Sequence, residues 1–186
     1  MITLKSFALG RWQEVETPFK KILNPVSGEI IGEISSHGLN FKAMVEYSRK
    51  NGGAALREMT FHQRARMLKQ MAQYLMSRKE EFYPVSSLTG ATRMDSWIDI
   101  EGGIATFFTY AGKGKRELPD ETFYVDGGME PLSKNGTFIG QHICVPLRGV
   151  AVHINAFNFP CWGMLEKLAP TLLRSEEHTS ELQSQR

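Results

Sequence analysis

The sequence predicts an α/β protein, and three observations carry that prediction. Gly149-Val-Ala-Val-His-Ile-Asn155 is an almost continuous apolar run, the pattern of a parallel strand buried on both faces. Ala156-Phe-Asn-Phe-Pro160 breaks the run, and Trp162, Leu165, Leu168, Ala169 and Leu172 then recur at helical spacing. Strand, turn and helix therefore follow in order. Upstream of them, β-branched hairpin segments give way to amphipathic helices.

Bulk properties narrow the class. A chain of 186 residues is long enough for one domain with a real core. At 41% hydrophobic and 23% charged, it is not disordered, collagen-like or a disulfide scaffold. A net charge of +2 gives no bulk attraction to nucleic acid. The short basic cluster Lys113, Lys115 and Arg116 reads as a solvated loop rather than a phosphate site. The two cysteines, Cys144 and Cys161, form no CxxC pair, which suits a reducing compartment. Met1 to Gly10 holds no long apolar stretch, and no window approaches the roughly 20 apolar residues of a membrane helix. A soluble, cytoplasmic protein without membrane partners is expected.

The elements follow in chain order. Ser6 to Glu14 reads as a strand, a turn at Gly10-Arg11 and a return, with Trp12 as its anchor. Lys21 to Ile34 is a hairpin turning through Asn24-Pro-Val-Ser-Gly-Glu29, where Pro25 presets one angle and Gly28 tolerates positive φ. Ile30, Ile31 and Ile34 supply bulk on the return strand. A helix begins at Asn40, carries Met44 and Val45 on its apolar side, and stops at Asn51-Gly-Gly53. Thr60 and Gln63 form a capping box for the next helix. Met67, Leu68, Met71, Ala72, Leu75 and Met76 lie on one face of it, and Arg64, Arg66, Lys69 and Gln70 should stay wet. The methionine stripe reads as packing. Phe82 to Leu88 continues as helix, with Pro84 in a new first turn. Asp95 to Tyr110 is a further helix, burying Trp97, Ile100, Ile104, Phe107 and Phe108, with Gly102-Gly103 marking close packing. Gly112 to Gly136 reads as loop with a hairpin turn at Asn135-Gly136, and Thr137 to Pro146 as β structure.

The chemistry concentrates in the strand–turn–helix unit. Ligands of open parallel sheets sit at the carboxyl ends of strands, and a helix N-terminus there favours negative charge. Asn158 lies in that turn. From spacing alone it serves equally as a side-chain donor or as a cap for the following helix. Cys161, on the first helical turn, reads either as a reactive thiol working with His153 or, more simply, as a buried small hydrophobe. His37, His62, His142 and His178 show no metal-ligand spacing with the cysteines, so no metal is expected.

The run Gly149 to Pro160 resembles the motif that ends the first Rossmann strand of aldehyde dehydrogenases. The Asn24-to-Glu29 hairpin, and the helical stretch from Gln63 through Leu68 to Thr89-Gly90, are similar to that family's in order and spacing. The longer run Ala156 to Pro170, with Ser96 to Gly103 and Arg116-Glu-Leu-Pro119, resembles the bifunctional phenylacetic acid degradation proteins more closely. Those proteins join an aldehyde dehydrogenase to a MaoC-type enoyl-CoA hydratase domain. They open a seven-membered-ring CoA thioester and oxidise the semialdehyde produced. The resemblance covers about residues 3 to 173. It implies the N-terminal fragment of an aldehyde dehydrogenase fold, with β-hairpins, helices and the first strand–helix unit of a Rossmann-like sheet.

Position by position, the resemblance implies that Asn158 is the side-chain donor of the oxyanion hole, which fits the need of an oxyanion for preorganised donors. It places Ile154, Asn155, Ala156 and Phe157 along the dinucleotide cleft of NAD or NADP. The family's usual Pro-Trp before the asparagine is here Ala156-Phe157, so the choice of cofactor is not fixed by the motif. The substrate implied is a small aldehyde, CoA-linked in the closer family, and the parent is implied to be a homo-oligomer. The family's nucleophilic cysteine, general-base glutamate and cofactor-binding lysine lie downstream of this helix and have no counterpart in the sequence, so the chain is expected to be inactive alone.

The sequence changes character at Arg174. Arg174-Ser-Glu-Glu-His-Thr-Ser-Glu-Leu-Gln-Ser184 is polar and without apolar period. It is similar to the translation of a common sequencing-library adapter, so 1–173 reads as a partial cofactor-binding domain and 174–186 as a non-native, disordered tail. Two other functions fit the residues. One is a non-catalytic interaction module with the same shape. The other is a small hydrolase built on Cys161 and His153.

Overall fold

A computed structural model describes residues 2–174, together with the backbone of 177–183. Three short strands form the first sheet: β1 (Ile2–Leu4), β4 (Lys20–Leu23) and β5 (Ile30–Ile34), in the order β1-β5-β4. Strand β5 runs parallel to β1 and antiparallel to β4. The β4–β5 turn is the one the sequence encodes. Gly28 takes φ +75°, and Asn24 Oδ1 accepts from the amides of Val26 and Ser27 at 2.9 and 3.2 Å. Strands β2 (Ser6–Ala8) and β3 (Arg11–Gln13) form a separate hairpin. Its turn residues are Leu9 and Gly10, both at positive φ, one position earlier than expected. Trp12 is 66% exposed and meets Phe7 edge-on, ring centroids 5.3 Å apart. It is a cross-strand partner on the surface rather than an anchor in the core.

The helical half builds the core. Helix α1 (Phe41–Lys50) starts where Asn40 Oδ1 accepts the Ala43 amide at 2.9 Å. The glycines after it do not end helical structure, because α2 (Gly52–Glu58) follows directly. Helix α3 (Phe61–Ser77) carries the predicted capping box between Thr60 and Gln63. A 3₁₀ turn (Lys79–Glu81) leads into α4 (Phe82–Ser87). The next helix starts two residues earlier than read, at α5 (Arg93–Trp97), capped by Thr92 with Asp95. It passes through a π-helical turn (Ile98–Gly102) into α6 (Gly103–Glu117).

The π turn explains two corrections. Its wider winding rotates the buried face. Trp97 and Phe108 therefore turn outward, and Ser96 and Asp99 are buried alongside Ile100, Ile104 and Phe107. The basic cluster is also corrected: Gly112 to Arg116 lies on α6, not in a loop. Its second glycine is there for space. A Cβ on Gly114 would fall 2.7 Å from Leu173 Cδ1 and 3.2 Å from Ala65 Cβ.

Strands β6 (Tyr124–Pro131) and β7 (Ile139–Cys144) pair antiparallel, so the second half of the expected loop is a strand. Asp126-Gly-Gly128 forms a bulge inside it rather than a break. The hairpin turns near Gly136, at φ +65°. Strand β8 (Val150–Ala156) then leads into α7 (Pro160–Arg174), and the backbone of β9 (Glu177–Gln183) runs parallel to β8. Helices α3, α6 and α7 enclose Leu68, Ala72, Ile104, Phe107, Leu165 and Ala169. Met71 and Met76 of α3 pack against this core, as expected, whereas Met67 does not reach it.

Two further expectations change. Arg64 is not wet; it is the largest fully buried side chain, at 0% exposure. Its Nε donates to Leu173 O at 2.8 Å, and its Nη1 to Leu56 O and Met59 O at 2.9 and 2.6 Å. It thus closes carbonyls at the ends of α2 and α7 from inside α3. Strand β8 is not covered on both faces either. Val152 and Ile154 are 61% and 51% exposed, because α7 packs on one side of the strand only.

Candidate active site

The bend Phe157–Phe159 joins the carboxyl end of β8 to the first turn of α7. Asn158 sits in it, exposed. Ile154, Ala156 and Phe157 are exposed around it, and Asn155 is buried beneath α7, with its Oδ1 about 4.0 Å from where a Cβ on Gly163 would lie. Consecutive numbering makes these five residues neighbours. The pleat decides which of them face out.

The first turn of α7 is held by a residue that the sequence reading passed over. Asp99, buried on the π turn, accepts from the Trp162 amide at 2.7 Å (Oδ1) and from the Cys161 amide at 3.3 Å (Oδ2). Asp99, not Asn158, therefore caps the helix. Burial pushes the Asp99 carboxyl above its ordinary value, and the two amides work against that. The glycines next to it make the approach possible. A Cβ on Gly103 would lie 2.9 Å from Trp162 N and Cα, and one on Gly102 would enter the indole ring. Trp162 Nε1 is tied in turn to Glu166 at 2.8 Å. One signal was available in the sequence, an acid set between Trp97 and Ile100 just before Gly-Gly, but its partners lie more than 60 positions downstream.

The alternative thiol centre does not form. Burial, followed by the charge of Asp99, pushes the Cys161 thiol up to about 12. A thiol held protonated is a poor nucleophile. His153 Nε2 meets Thr171 Oγ1 at 3.1 Å. Thr171 lies ten residues beyond Cys161 on the same helix, an axial distance of about 15 Å. Among the described residues, no group of three His, Cys, Asp or Glu side chains is placed to hold a metal ion. No helix among them is long and apolar enough to cross a membrane.

These features define a class: an α/β chain whose site is a bend at the carboxyl end of a strand, with the following helix pinned from below. Residues 12–175 match the model of the aldehyde dehydrogenase family, and the chain belongs to that family. It is 40% identical over 171 residues to the 3,4-dehydroadipyl-CoA semialdehyde dehydrogenase of Aromatoleum evansii, covering 91% of this chain and 33% of that protein. Its fold is similar to that of 3,6-anhydro-L-galactose dehydrogenase (TM-score 0.79, 19% identity, 98% of this chain and 36% of that one). It is also similar to that of an NAD-dependent benzaldehyde dehydrogenase from Corynebacterium glutamicum (TM-score 0.75, 18% identity, 96% and 37%). The chain thus spans about a third of the length of these relatives, as an N-terminal fragment of the aldehyde dehydrogenase fold.

The residues around the bend combine a buried polar group with an open surface. The Asn155 amide is buried without a hydrogen-bond partner on either Nδ2 or Oδ1, and Ile154, Ala156 and Phe157 offer an open surface beside it. The first-turn amides of α7 are not a phosphate seat, since the Asp99 carboxylate already fills them.

Proposed function

We propose that this chain is the N-terminal part of an NAD(P)-dependent aldehyde dehydrogenase that oxidises a CoA-linked semialdehyde in phenylacetate degradation, and that it has no activity alone. The observation that carries the reading is the 40% identity, over nearly the whole chain, to a CoA-semialdehyde dehydrogenase. Residues 1–173 are then part of the cofactor-binding domain, and 174–186 a translated adapter foreign to it.

In this reading Asn158 is the catalytic residue of the fragment. Attack on an aldehyde carbonyl puts negative charge on its oxygen, and the Asn158 amide donates a hydrogen bond to that oxygen. Asp99 keeps the bend in place by holding the turn that follows. Ile154, Asn155, Ala156 and Phe157 would hold the nicotinamide cofactor, which would supply hydride-acceptor chemistry there. The nucleophile and the base come from the rest of the parent enzyme.

The test joins residues 1–173 to the downstream two-thirds of the Aromatoleum evansii relative. The chimera should reduce NAD(P) with a CoA-linked semialdehyde, and Asn158→Ala should lower kcat by about 100- to 1,000-fold with little change in KM. The 186-residue chain itself should show no turnover. Turnover by the chain alone, or an Asn158→Ala chimera with unchanged kcat, overturns the reading.

A further inference from the structure

A group of arginines lies well away from this bend. A cavity of about 510 Å³ is lined by Arg57, Thr122, Phe123, Ile143, Val145 and Arg148. A second, of about 340 Å³, is lined by Arg49, Arg57, Arg148 and Gly149. Two arginines, Arg57 and Arg148, are common to both, so the two cavities adjoin and are lined together by three arginines. The groove lies at the start of β8, about 20 Å along the strand from Asn155.

Among the described residues, the six ion pairs involve none of Arg49, Arg57 or Arg148. Arg57 is half-buried and passes over Gly53, where a Cβ would fall 3.1 Å from its Nη1. Three cations around one groove repel each other unless an anion joins them. A monovalent carboxylate would balance one of them, whereas a diphosphate carries enough charge and enough oxygens for several planar forks. Phe123, Ile143 and Val145 line the same groove and give an apolar wall for whatever the diphosphate carries.

We propose that Arg49, Arg57 and Arg148 form a diphosphate-binding site, separate from the bend at Asn158. Free pyrophosphate and the diphosphate of an adenine nucleotide share the chemistry the arginines recognise. The apolar wall distinguishes them.

The test is calorimetric titration of the 186-residue chain at low salt with inorganic pyrophosphate, ADP and CoA. Pyrophosphate should bind, and ADP or CoA should bind more tightly if the wall takes part. Equal affinity for all three assigns the site to the anion alone. Arg57→Gln and Arg148→Gln should each weaken pyrophosphate binding about tenfold, the loss of one charge-assisted hydrogen bond. Arg11→Gln, on the β2–β3 hairpin, should leave it unchanged. Arg49 and Arg148 are exposed, so Arg49→Gln and Arg148→Gln decide the matter if Arg57→Gln does not fold. No binding, or the same weakening from Arg11→Gln as from Arg148→Gln, overturns the site. The titration uses neither aldehyde nor nicotinamide cofactor, so its failure leaves the dehydrogenase reading standing.

Discussion

Cys161 shows how one side chain's surroundings decide its chemistry. Its sulfur sits at a helix N-terminus, a place that ordinarily lowers a thiol pKa. Burial and the neighbouring Asp99 carboxylate outweigh that, and raise it from 9.0 to about 12. The folded chain therefore holds this proton more tightly than the unfolded chain does. The stability this provides is fully present below about pH 9 and is lost as pH rises from there toward 12. At pH 8 a thiol reagent should modify one cysteine per folded chain, the exposed Cys144, and reach the second only after denaturant is added. The urea midpoint should fall above pH 9, and Cys161→Ala should remove that slope. Rapid modification of both thiols in the folded chain would contradict the assignment.

At the scale of elements, helix α6 packs closely because it lacks side chains at chosen positions. Gly103 lets the backbone of α7 come within contact distance, and Gly114 admits Leu173. Gly103→Ala would gain helix propensity of up to about 1 kcal/mol. It would also press a methyl group on backbone atoms that cannot rotate away, at a cost of about 1–3 kcal/mol. A net loss of stability should appear in thermal melting, while Gly128→Ala, with nothing within 4 Å, should melt with the wild type. The same glycines explain what the sequence hid. Local rules gave the capping box at Thr60, the Asn24–Gly28 turn and the strand–bend–helix unit, since each is fixed by residues within a few positions. They misplaced Gly112 to Arg116 as a loop and Trp97 as core, because there the choice is made by a partner helix or by an inserted π turn. The candidate site divides in the same way. The place of Asn158 in the bend was legible from its motif, and the cap that Asp99 provides was not, because its hydrogen bonds reach from the middle of one helix to the start of another.

For the whole molecule, Arg64 is the tie. Its guanidinium serves carbonyls of Leu56, Met59 and Leu173, joining α2, α3 and α7. Desolvation lowers its pKa to about 10, so it stays charged at neutral pH. Arg64→Met keeps much of the bulk but leaves three acceptors without their donor. A loss of about 3–5 kcal/mol should follow, read as a lower urea midpoint with little change in slope. Arg64→Lys should recover only part of it, because a compact ammonium does not span three carbonyls. A variant as stable as the wild type would show that water replaces the guanidinium.

This tie also sets a schedule for synthesis. Arg64 and Leu173 are 109 positions apart. On a ribosome adding about 5–20 residues per second, the first waits on the order of 5–20 s for the second to be made. Throughout that interval the apolar faces of α3 and α6 have no α7 to cover them. The nascent chain is therefore a natural client for holding chaperones until α7 emerges.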